Sequence, residues 1–529
     1  MDLQLRHRLP VGAGRLWANL KASVSIDTRT LAVFRVLIAL LILADIVLRL
    51  RNFSFFYTED GVIPRALAMD ATAETAFSVF YFTTNTTVIA ALFALGALLA
   101  IQLLVGYKTR IATICSFLFV VSLDHHNPFV LSYADTLFRL LLFWAMFLPL
   151  GERWSIDAVY RTRLSRPRIT SVASALILCQ IVYMYFLNWY HKSENELWTS
   201  GEATPLIMGL DDTTFLLGEF TRNFPTLLQY GGLGWYYLLF SSWLLIFLAG
   251  RKRMALVALF MAGHASFAVT VRIGAFAYVA IAGLTLFLQA QFWDDLGRFA
   301  AAIGLNRSRL RRLEESLVSL AQSVPYYQRE TPTAQQVKSG FSLGASMILV
   351  GSLLVAGAGM YAPVGGETIK QSAVTDQIET GADSLSISQP TWSVFAPTPR
   401  TTDSYYVFLA ETADGDRVDV YNERAFTMDR PGKQLQNQYG TYRERFYMNS
   451  VRRAALNDRN DSPALLAEYR CETWAEEHDT ELTHLNMYQI RESVTLETID
   501  SPEDRETRSR LLYRHGCGDN EDKHIRTSE

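Results

Sequence analysis

The chain has 529 residues, 50% of them hydrophobic and 19% charged, with a net charge of −3 at pH 7. That sum hides two opposed parts: residues 364–529 carry 30 acidic against 19 basic side chains, which leaves a surplus of bases on the rest. One part suits water and the other suits anionic lipid, which excludes a soluble or nuclear role and a nucleic-acid partner.

The first thirty residues are too polar to supply the apolar core of a cleavable leader, and residues 1–24 read as a cytoplasmic segment. Nine apolar runs follow: Thr30–Leu50, Thr86–Val105, Ile111–Leu123, Leu131–Leu150, Thr170–Tyr190, Gly232–Gly250, Met254–Val271, Gly274–Ala290 and Leu343–Ala362. Most approach the ~20 residues that cross ~30 Å of hydrocarbon. Lys and Arg in alternate gaps number about 22 on one side and about 6 on the other. By the positive-inside rule the N-terminus is cytoplasmic and, after nine crossings, everything beyond Ala362 is outside the plasma membrane. The expected fold is a membrane all-α bundle of about nine transmembrane helices over 25–363, a linker over 364–391, and a small extracytoplasmic β-rich mixed domain over 392–529.

Between the runs, Asn52–Tyr81 reads as an interfacial loop with a short helix after Pro64. The stretch TPLIMGLDDTTFLLGEF within Ser193–Gly231 reads as amphipathic and suited to the outer membrane surface. The basic pattern RSRLRRLEESL in Phe299–Gly340 reads as a solvated helix against the inner leaflet. In the tail, 404–423 reads as two strands joined at Asp414-Gly415, 462–478 as a helix and 483–498 as a strand. Cys115 and Cys179 fall in apolar runs. Cys471 and Cys517 both fall in the tail, where the compartment allows a disulfide and the spacing leaves bonded and free thiols equally open. Zinc-ligand spacing is absent, and no metal is expected.

A charge in hydrocarbon needs a reason, because it costs about 2.5–3.5 kcal/mol at a helix centre on insertion scales. Asp45/Arg49 and Asp135/Arg139 are i,i+4 pairs, most simply local ion pairs. Asp135 and Arg139 serve equally as the floor of a site. His125 and His126 end the third run, Lys192 ends the fifth, His264 lies near the middle of the seventh and Arg272 at its outer end. Each has a bland reading: loop histidines at an interface, a snorkelling lysine, a satisfied buried histidine. Their projection toward one leaflet, beside aromatic loops, points to one shared site with lipid-side access for an apolar substrate.

Five segments carry a family resemblance: SIDTRTLAVFRVLIALLILADIVLRL…FYTEDGVIPR (25–65), LDHHNPFVLSYADTLFRLLLFWAMFLPLGERWSID (123–157), YFLNWYHKSENELWTSGEA (185–203), HASFAVTVRIGAFAYVAIAGLTLF (264–287) and WSVFAPTP (392–399). In this order they resemble the horizontally transferred transmembrane (HTTM) domain, and so are similar to the vitamin K-dependent gamma-carboxylases. The resemblance implies oxygenation of a reduced vitamin K-type naphthoquinone (menaquinol) to generate a strong base. That base takes a γ-proton from a glutamyl side chain of an extracytoplasmic protein or peptide, and CO2 adds. O2 and CO2 are thus implied co-substrates, with membrane lipid and quinone as partners.

By the same resemblance Lys192, followed by Trp198, takes the place of the catalytic lysine. His264 resembles a second catalytic position, and a histidine at the end of an earlier helix resembles His125 or His126. From the resemblance and the shared projection toward one leaflet together, His125, Asp135, Arg139, Arg272 and Trp198 are the expected substrate-binding residues. The chain departs from the carboxylases in having no cysteine in an outer loop of the membrane domain and a shorter tail. A transporter reading calls for inverted repeats or paired broken helices, which the sequence does not show. A non-enzymatic membrane scaffold or binding protein is the other alternative.

Overall fold

Local capping sets the ends of the long apolar helices. Asp27 caps α1 (Thr28–Leu50), accepting from the Arg29 N–H at 2.8 Å. Asn85 caps α2 (Thr86–Val105), accepting from Thr87 and Val88 at 3.0 and 3.1 Å, and Gly106, at φ 72°, closes its C-terminal end. After α3 (Thr109–His126), Ser132 and Asp135 form a reciprocal capping box on α4 (Tyr133–Ala145), and Ser171 with Ser174 forms another on α5 (Val172–Ser193). The helical region continues with α6 (Pro225–Phe240), α7 (Gly250–Thr270), α8 (Phe276–Thr285) and α9 (Ala290–Ala302).

The computed structural model describes residues 18–304, 307–327 and 380–527. Among these, α1, α2, α5 and α7 are long and apolar enough to cross a membrane. The α8–α9 pair, bent by 98°, makes a fifth if it is one span. The described residues therefore carry four to five candidate spans of an integral membrane protein, against nine apolar runs in the whole sequence. Part of the difference lies in helix breaks, which hydropathy does not register; the third run instead forms the unbroken α3, with Arg110 at one end and Asp124, His125 and His126 at the other. The fourth run yields only a 13-residue helix, the sixth breaks after Phe240, and the eighth yields ten residues before the bend. The ninth, Leu343–Ala362, lies outside the described residues. Within the bundle α1 packs on α2 and α8, α4 on α3, α5 and α8, and α6 on α5.

The tail folds into a five-stranded antiparallel sheet from β1 (Thr402–Thr412), β2 (Arg417–Asp419), β3 (Arg424–Ala425), β4 (Leu482–Ser493) and β5 (Thr507–Gly516), in the order β3-β2-β1-β4-β5. Successive β1 side chains alternate between two cores. Tyr406, Phe408 and Ala410 join the main core, with Tyr447, Met448 and Leu466 of α10 (Tyr442–Asn457) and α11 (Ser462–Glu477), whereas Tyr405, Val407 and Leu409 pack on Leu435, Tyr488 and Ile490. Cys471 of α11 is disulfide-bonded to Cys517 beyond β5. The turn expected at Asp414-Gly415 is present, with Gly415 at φ 86°. Helix α10 and strand β5 were not expected from the sequence.

Two arginine–carboxylate clusters lock the tail to the helical region. Arg443 of α10 pairs with Asp45 and, at 3.0 Å, with Asp135. In the second cluster, Asp211 accepts from Arg222 at 2.6 Å, Arg430 at 2.7 Å and Arg505 at 3.0 Å. This corrects the surface-lying expectation for part of 204–220: residues 205–214 are buried under the tail, although Leu216, Leu217 and Phe220 stay exposed.

Candidate functional site

Helix α5 presents Tyr185, Asn188 and Lys192 at i, i+3 and i+7, so the three share one face over two turns. That face borders a cavity of about 580 Å³, closed on other sides by α6, α7 and the segment Trp392–Phe395. The volume is in the range of small-molecule sites, which join mostly apolar walls to a few placed polar groups. Trp198, Trp235, Phe267, Phe276 and Trp392 supply aromatic wall.

The polar groups are sparse and specifically held. Lys192 is 3% exposed; its Nζ donates to the Val394 carbonyl at 2.8 Å and sits 3.6 Å from the centre of the Trp198 ring. No carboxylate among the described residues forms an ion pair with it. Trp198 Nε1 donates to the Phe395 carbonyl at 3.1 Å, and Asn188 Nδ2 donates to the carbonyls of Trp392 and Val394 at 2.8 and 3.1 Å. On α7, His264 Nε2 lies 2.7 Å from the Tyr185 hydroxyl, while its Nδ1 has no hydrogen-bond partner among the described residues. Trp235 meets the His264 ring edge-on at 5.3 Å.

The strap formed by residues 386–395 holds an unusual backbone. Ser386, Trp392 and Phe395 have φ of 48°, 53° and 54°, a region that costs a residue bearing a Cβ about 1–3 kcal/mol. Contacts from several elements hold it there. Ser386 Oγ is 2.6 Å from His125 Nε2, and the Ser386 carbonyl accepts from Arg139 Nε at 2.9 Å. His125 Nδ1 donates to the Phe77 carbonyl at 2.8 Å, so in the neutral ring Nε2 accepts from the Ser386 hydroxyl.

The structure thus divides the residues expected to share one site. Lys192, Trp198 and His264 line the cavity. His125 and Arg139 contact the strap that covers it. His126 is stacked on Phe80 at 4.8 Å and donates from Nε2 to the Tyr57 carbonyl at 3.2 Å, away from the cavity lining. Arg272 donates to the Gln436 carbonyl at 2.7 Å, joining α7's end to the tail. The Asp45–Arg49 pair forms at 2.8 Å. An Asp135–Arg139 pair does not: Asp135 turns back to cap α4 and meets Arg443, while Arg139 reaches Asp124 on α3. A capping carboxylate at the third helical position is already committed to the N-terminus, which frees the later arginine for a neighbouring helix. Sequence reasoning missed Tyr185, Asn188 and Trp235 as cavity residues, though the spacing of Tyr185 and Asn188 to Lys192 was a usable signal.

No curated protein and no solved structure shows significant similarity to the chain. The HTTM domain model matches residues 24–293, just over half of the sequence and including Lys192, Trp198 and His264. The chain belongs to the HTTM family, whose domain is shared with vitamin K-dependent gamma-carboxylase.

Proposed function

We propose that the cavity binds a reduced vitamin K-type naphthoquinone and that the protein couples its oxygenation to proton abstraction, with carboxylation of an extracytoplasmic protein or peptide as the family's outcome. The observation that carries this reading is the meeting of Lys192 and His264, from two helices, on one aromatic cavity. The residues suit such a ring. Trp198, Trp235 and Trp392 offer flat faces, and the unpartnered His264 Nδ1 offers a hydrogen bond to a ring oxygen. When bound, the quinol supplies electrons for O2 and, through that oxidation, basicity sufficient to deprotonate carbon.

The chain's own contribution is proton handling and positioning. Lys192, as an amine, accepts a hydroxyl proton at Nζ, held in place by the Val394 carbonyl and the Trp198 face. Tyr185 orients the His264 ring through Nε2. Asn188 fixes the strap that keeps water from the lysine. The basic-loop bias puts this end of α5 and the tail outside the plasma membrane, with the N-terminus in the cytoplasm.

The test is a tryptophan-quenching titration of the purified protein with 2-methyl-naphthoquinol, paired with oxygen-uptake measurement. Binding with oxygen uptake supports the reading. Absence of both, with any naphthoquinol tried, returns the chain to the membrane-scaffold alternative.

A further inference from the structure

The tail's sheet ends on β5, which has β4 on one side and no strand on the other among the described residues. The ladder sets which way its backbone groups point. The Ser493 N–H of β4 donates to the Glu506 carbonyl at 3.0 Å, and the next one, Val494 N–H, donates the other way, to Thr401 at 2.9 Å. Backbone groups alternate sides along an antiparallel strand, so Arg508 and Arg510 bond to β4, whereas Thr507, Ser509 and Leu511 turn their N–H and C=O groups outward. At the far end of β5 the outward Gly516 N–H is already taken, by Asp522 Oδ1 at 3.0 Å. At the near end the backbone of residues 507–511 forms no hydrogen bond outside the ladder among the described residues, and residues 507–510 are exposed. One end of the edge is sealed and the other is open.

The side chains beside the open groups are basic. Arg508 stands directly opposite Arg491 of β4, and Arg510, two residues on, shares their face of the sheet. Like charges directly opposite each other weaken a strand pair. Arg508 has an exposed carboxylate beside it, Glu506 at 2.7 Å. Arg491 and Arg510, both exposed, have neither an ion pair nor a hydrogen bond from their side chains among the described residues. This local surplus of bases sits in a tail whose overall surplus is acidic. Charge on an edge strand keeps like edges apart, so a second copy of β5 is repelled here. A strand of opposite charge is attracted.

We propose that residues 507–511 are a docking edge that takes an extended acidic segment of a partner protein as an added strand, its carboxylates over Arg491, Arg508 and Arg510. The outward groups of Thr507, Ser509 and Leu511 supply main-chain hydrogen bonds that any sequence can use, and the arginines select the charge. None of these residues lines the cavity, so the edge stands whatever the cavity binds.

The experiment titrates full-length protein, in nanodiscs of zwitterionic lipid, with labelled end-blocked peptides read by fluorescence anisotropy. One probe alternates glutamate with valine, and a second of equal charge alternates glutamate with proline, which cannot pair as a strand. The wild type is expected to bind the first and to slow hydrogen exchange at the Thr507, Ser509 and Leu511 amides. Arg508→Gln/Arg510→Gln should weaken that binding about fivefold, the effect of two lost cross-strand charge pairs. Ser509→Pro removes an outward N–H and no bond to β4, a place where an edge strand tolerates proline, and should weaken it at least as much. Arg508→Glu/Arg510→Glu keeps the edge and reverses its charge. It should prefer a lysine–valine peptide, and it judges the proposal if Ser509→Pro does not fold. No binding by the wild type overturns the docking edge. So does equal binding of the proline peptide, which is charge attraction of the kind any polyanion gives. Unchanged binding by a folded Ser509→Pro overturns the added strand, and unchanged preference in the charge-reversed variant overturns the acidic partner.

Discussion

Two buried polar regions meet the strap, one at Ser386 and the other at Val394, and they are built on opposite terms. On the Arg49 side, charges cancel: Asp124 accepts from Arg49 at 2.5 Å and from Arg139, while Asp45 and Asp135 share Arg443. On the Lys192 side, among the described residues, a buried amine meets a carbonyl and an indole face without a carboxylate, and a histidine nitrogen has no hydrogen-bond partner. A closed network gives up its bonding capacity to hold helices and tail together. An open one leaves that capacity for a ligand. Both satisfy the requirement that a polar residue in hydrocarbon have a purpose, and only three-dimensional pairing distinguishes them.

The sharpest way to break this contrast is to open the closed side. Asp124→Ala leaves two buried guanidiniums without their shared carboxylate, and loss of one partner from a buried pair costs about 3–5 kcal/mol. Chemical unfolding should place this variant near the top of that range. A loss below about 1 kcal/mol would show that the network is not a clamp. Next comes the disulfide, which closes a 46-residue interval in the tail. Chain entropy gives it about 4 kcal/mol, commonly less in practice, so a Cys471→Ser/Cys517→Ser variant should melt earlier in the tail while α1 to α5 remain folded by hydrogen exchange.

The strap is where the two sides meet, and Asn188→Ala sharpens the comparison there. It removes two hydrogen bonds to strap carbonyls, about 1–2 kcal/mol together. The expected result is a small drop in stability with a larger drop in ligand affinity; the reverse ratio would place Asn188 with the clamps. The smallest effect concerns Glu152, outside the spans. Burial pushes its carboxyl up, but Arg163, the Arg166 N–H and Arg161 outweigh this and bring it to about 2. A depressed carboxylate contributes stability above its unfolded value near 4.3 and loses it as pH falls toward 2. Glu152→Gln should therefore flatten the stability profile between about pH 4.5 and 2, by less than about 1 kcal/mol because Arg163 and Arg166 are half exposed.

What the sequence made legible follows the same division. Hydropathy found α2 to the residue, because Asn85 and Gly106 are local signals that no packing overrides. Its runs outnumber the candidate spans among the described residues, in part because runs such as Leu131–Leu150 stay apolar after their helix has ended at Ala145. The family segments located Lys192, Trp198 and His264. They did not separate His125 from His126, since adjacent residues near the end of α3 diverge in space: one ring meets Ser386 of the strap and the other stacks on Phe80. That choice rests on residues more than 250 positions away and on a backbone with φ near 50°, which local patterning does not encode. The tail's α10 escaped notice because its apolar stripe is interrupted by Arg443 and Arg445, whose partners Asp45, Asp135 and Asp212 lie in the helical region and not in helix periodicity.

The central claim is that Lys192 belongs to the open, chemical side and not to the clamp. The direct measurement is Lys192→Met, which keeps the apolar stem and removes the amine, compared with wild type for both unfolding and quinol-dependent oxygen uptake. The account predicts stability within about 1 kcal/mol of wild type, since one hydrogen bond is exchanged for apolar burial, together with loss of oxygen uptake that an added primary amine partly restores. Full oxygen uptake by the variant, or unfolding as severe as that of Asp124→Ala, would contradict it.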